Sequence, residues 1–184
     1  VEIVATGSIT LSGKDDPDRD PERRGSGIFV VNDFAFQQQP PAGGDILLEA
    51  NSVHLSDGAA IAIQNRNAAM TQGGSLTIRA ADRIVLDGTD DREVEPTSGS
   101  ALQLGSADLF TETAGGGDGV GGIRLEAPHV SILDGADITT FRLFGTASDQ
   151  VGSIEIRADQ RLELAGIGGD GIEPFFNFRL EFAA

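Results

Sequence analysis

Apolar and polar residues alternate along this chain in short runs, and the runs recur in a fixed order. Residues 44–58, GDILLEANSVHLSDG, carry Ile46 and Leu48, then Val53 and Leu55, between an opening and a closing glycine. The arrangement returns at residues 74–88 (GSLTIRAADRIVLDG), 121–135 (GGIRLEAPHVSILDG) and 152–166 (GSIEIRADQRLELAG), and in shorter form at residues 1–13. Period-two alternation over so few residues predicts short strands with one buried face. A third apolar run follows each closing glycine, at Ile28 and Val30, Ile61 and Ile63, Leu102 and Leu104, and Ile138 and Thr140. Each unit therefore reads as three short strands.

Successive opening glycines lie 30, 47 and 31 residues apart (Gly44, Gly74, Gly121, Gly152), so short and long units alternate. The alternation reaches inside the motif. The second run starts one residue later in the long-type copies, at Ile84 and Leu162, than in the short-type copies, at Val53 and Val130. Much of the extra length sits in two insertions rich in charge and proline, residues 14–26 and 89–99, which read as loops.

A unit of three short strands cannot bury its apolar face alone, so the units must stack, as in other repeat architectures. Parallel pairing from unit to unit, with aliphatic ladders inside, makes a parallel β-helix. Residues outside the apolar pattern support the same register. The fifth position after each opening glycine is Glu49, Arg79, Glu126 and Arg157, which stacking turns into a column of alternating sign. All ten phenylalanines fall between a second run and the next copy, and we expect them along the third side or its corner. The run Phe176, Phe178, Leu180, Phe182 alternates as a further half-buried strand would.

Composition narrows the function classes. Asp and Glu outnumber Lys and Arg 29 to 13, for a net charge of -16, which disfavours nucleic acid and anionic membrane surfaces. The 39% of hydrophobic residues suffice for a core, and no apolar run is long enough to span a bilayer as a helix. The chain has no cysteine, which excludes disulfides and thiolate metal sites.

Candidate chemistry is sparse. Asp15, Asp16, Asp18, Asp20 and Glu22 crowd the first insertion, and Asp16, Asp18 and Asp20 have the spacing of a calcium loop. The rest of that pattern fails, since Pro21 stands at the sixth position and Gly27 at the twelfth, and Lys14, Arg19, Arg23 and Arg24 offset the acids. Calcium at Asp16 to Asp20 is thus the alternative to a plain solvated loop. Asp90, Asp91, Glu93 and Glu95 crowd the second insertion, which leaves the stack at the same corner one long unit later. The two loops together are the candidate partner-binding edge. His54 and His129 occupy different repeat positions and read as surface histidines, and the glycine runs at 115–117, 121–122 and 168–169 read as turns. No catalytic, metal or cofactor constellation emerges.

The copies GDILLEANSVHLSDGAAI, GGSLTIRAADRIVLDG and GSIEIRADQRLELAG resemble the passenger repeats of filamentous haemagglutinin-like exoproteins of two-partner secretion systems, especially the large cyanobacterial ones. The resemblance covers nearly the whole chain. It implies a right-handed parallel β-helix, export through a dedicated outer-membrane transporter, and a role in adhesion. The Asn-Pro-Asn-Gly motif of the secretion-targeting domain is absent, so the resemblance is to an internal passenger segment.

The expectation is therefore an all-β, right-handed single-stranded parallel β-helix of about five coils with three short strands each, spanning residues 1–184 as one segment of a longer exoprotein. It is expected to be non-enzymatic, secreted or on the outer cell surface, and to attach to a host or cell-surface glycan or protein without nucleic-acid binding or membrane insertion. The rivals are a carbohydrate-active β-helix enzyme of lyase or hydrolase type, which needs paired carboxylates on an outer face, and a purely structural spacer.

Overall fold

The computed structural model describes residues 1–13, 27–32, 44–65, 74–88, 107–113, 121–134, 136–142, 152–165 and 178–181. Among them every regular element is a strand: β1 (Glu2–Val4), β2 (Ser8–Ser12), β3 (Gly27–Asn32), β4 (Ile46–Ser56), β5 (Ala60–Asn65), β6 (Leu76–Asp87), β7 (Asp108–Thr113), β8 (Ile123–Leu133), β9 (Asp137–Arg142), β10 (Ile154–Ala165) and β11 (Phe178–Glu181). They form two all-parallel sheets. One runs β1-β4-β6-β8-β10-β11, with β2 also on β4, and the other runs β3-β5-β7-β9. From β2 to β10 the chain alternates between the sheets and returns each time to the next place in line, so a repeat adds one rung to each, and β11 then follows β10 in the first sheet.

The inward columns are those the sequence predicts. Ile46, Leu76, Ile123 and Ile154 stand in one column, and Leu48, Ile78, Leu125 and Ile156 in the next. Ile28, Ile61, Leu109 and Ile138 face them from the other sheet. Side chains of both sheets share one core, in which Leu48, Leu55, Ile61, Ile63, Ile78, Leu86, Leu109 and Leu125 are wholly buried.

The first two runs of each copy form one long strand rather than two. From Ala50 to Val53 the inward positions step by three, an odd step that would flip a straight strand to its other face, so the strand turns a corner there. In the interior rungs the strand stays continuous through this corner. At residues 5–7 the corresponding strand is divided into β1 and β2, each of which pairs with β4.

The one-residue difference between unit types is absorbed at that corner. Register shifts fall between Ala50 and Ser52 against β6, between Arg79 and Arg83 against β8, and between Ala158 and Arg161 against β8. Thus β6 and β10 carry a bulge that β4 and β8 lack. Pro128 has no backbone N–H to give a ladder, and it sits in β8 where the pairing skips from Ala127 to His129.

Glycines serve the stacking in two ways. A Cβ on Gly121 would run into the carbonyl oxygen of Gly74, one rung away. At the end of β4, Asp57 and Gly58 both take positive φ, 52° and 77°, and the Ala59 amide bonds the Ser56 carbonyl at 3.0 Å. That is the two-residue geometry for which Asp-Gly is favoured.

The second sheet brings one difference from the sequence expectation. The strand on the second long unit is β7, with Leu109 and Thr111 buried, whereas Leu102 and Leu104 lie outside the described residues. The expected column of phenylalanines is partial. Phe29 and Phe110 share one column of the second sheet, but Phe178 falls in the first sheet, in register with Ile154.

Candidate functional site

The corner divides the outer face of the long strands into two halves. The half before it carries charges in register: Glu49 faces Arg79, Arg79 faces Glu126, and Glu126 faces Arg157. Arg79 reaches Glu49 at 2.9 Å and Glu126 at 2.8 Å, and Arg157 reaches Glu126 at 3.3 Å. A second column joins in, with Arg124 bonded to Glu126 at 2.5 Å and Arg157 to Glu155 at 2.7 Å. Glu126 is the hub. Burial alone would raise its pKa, but hydrogen bonds from Arg79 and Arg124, with their positive charges, outweigh that and hold it below the usual carboxylate value. Glu49, Glu126 and Glu155 are thus each engaged by at least one arginine, an arrangement that ties successive rungs together.

A separate clasp sits where the rungs begin. The Asp45 carboxylate accepts hydrogen bonds from the Ser75 backbone N–H at 2.8 Å and the Ser75 hydroxyl at 2.7 Å. The backbone bond is the chief reason its pKa falls below the ordinary aspartate value.

The half after the corner differs. On β2, β4 and β6 its outward positions are Ser8, Ser52 and Arg83 in one column and Thr10, His54 and Val85 in the next. These residues line a shallow depression of about 470 Å³, together with Asp82 of the β6 bulge. Ser52 donates its hydroxyl to Ser8 at 2.8 Å, and Arg83 is paired with Asp82 at 2.8 Å. His54 is half-buried, and its imidazole Nε2 is closed to solvent and has no hydrogen-bonding partner. An unsatisfied buried polar atom costs about 1–3 kcal/mol, so this one calls for an explanation.

His54 is therefore not the plain surface histidine that its sequence context implies. His129, one column away, stands between Arg83 and Arg161 and is half-buried. The signal for His54 was available only after stacking. Aligned by register, its column reads Thr10, His54, Val85, Ser131, Glu163, and the imidazole lies between a threonine and a valine instead of between charges.

The acidic loop residues Asp15, Asp16, Asp18, Asp20, Glu22, Asp90, Asp91, Glu93 and Glu95, and with them the calcium alternative, lie outside the described residues. Among the described residues no group of three or more His, Cys, Asp or Glu side chains is placed to hold a metal ion. Compared with known proteins, the chain matches no family model, no curated protein and no solved structure.

Proposed function

We propose that the chain is a right-handed single-stranded parallel β-helix of about five coils and a passenger segment of a filamentous haemagglutinin-like exoprotein. In this reading it is non-enzymatic, is exported through an outer-membrane transporter to the cell surface or medium, and attaches there to a glycan or protein of a host or neighbouring cell. The rung-by-rung register carries the proposal: a sheet pair extended one repeat at a time is a repetitive scaffold that offers its outer surface and loops for recognition. The net charge of -16 supports a soluble rod that avoids nucleic acid and membrane insertion. The arginine-engaged carboxylates of the charged half speak against a hydrolytic pair on that face, and they equally suit a spacer. The depression around His54 favours a binding role over a spacer.

Immobilised on beads, the chain is expected to retain cells or arrayed glycans while releasing no products from soluble polysaccharides. Degradation that disappears on substituting acidic residues would replace this reading with the enzyme.

A further inference from the structure

We draw no further inference here: the strongest candidate, the exposed apolar edge formed by Val1, Ile3 and Val4 at β1 and Val31 on β3, carries nothing because nothing in the structure shows what covers it.

Discussion

The two halves of the long strands share a backbone, a core and a set of neighbours, yet their outer faces do opposite things. Before the corner, arginine and glutamate alternate from rung to rung and consume one another's charge. After it, around β4, hydroxyls and one imidazole line a depression with a nitrogen left unpaired. The difference teaches that stacking alone does not make a surface functional. A column whose members satisfy each other along the stack has its charge spent within the stack, whereas the column of Thr10, His54 and Val85 presents a hydroxyl, an imidazole and an apolar side chain.

Substitutions that remove what the halves have in common should have the largest effects. Leu125 is wholly buried in the column of Leu48, Ile78 and Ile156. Leu125→Asp puts a carboxylate where no partner can reach it, at a cost of several kcal/mol, about 4 or more. Chemical denaturation should lose its cooperative transition, and a tolerated aspartate would show that the column is not interior. Gly121→Ala comes next. Its Cβ meets the backbone of Gly74 rather than a flexible side chain, so the rungs must separate locally, which should cost about 2–3 kcal/mol in the same assay.

Smaller effects should distinguish the halves. Glu126 joins three arginines and is largely shielded, whereas Glu163, after the corner, is more exposed and paired with Arg161 at 3.1 Å. Glu126→Gln should destabilise by about 1–2 kcal/mol, and Glu163→Gln by about 0.5 kcal/mol or less. Equal losses would mean that the network before the corner adds nothing beyond ordinary surface pairs. Acid should repeat the contrast. The Glu126 pKa is held below its ordinary 4.5, so its contribution is complete above that pH and is lost as the pH falls through the depressed folded value. The parent should therefore lose stability below about pH 4.5 more steeply than Glu126→Gln. Parallel curves would remove Glu126 from the account.

Much of this was readable from the chain. The inward columns followed from the alternation of Ile, Leu and Val, because only one face of each run is apolar. The charge column followed from Glu49, Arg79, Glu126 and Arg157, which were not used to set the register. The late start of the second run at Ile84 and Leu162 reappears as the corner bulge. What escaped depended on neighbours. Joining two runs into one strand depends on hydrogen bonds to neighbouring rungs, which no single copy contains. In the second long unit, Leu102 with Leu104 and Leu109 with Thr111 offer the same spacing, and the alternation alone does not choose between them. His54 looked unremarkable because the closure of its Nε2 depends on residues from three different rungs.

The alternating corner bulge sets the register after the corner and frames the depression, so it is the feature to test most directly. The chain has no cysteine, which makes engineered disulfides unambiguous. With the bulge in β6, Val85 faces Ser131, whereas the register that holds before the corner, where Arg79 faces Glu126, would carry Val85 to Ile132. Facing positions on adjacent strands lie within disulfide reach. Oxidation of Val85→Cys/Ser131→Cys should give quantitative cross-linking in the folded protein, and Val85→Cys/Ile132→Cys should give little. Efficient cross-linking of the second pair and not the first would contradict the account.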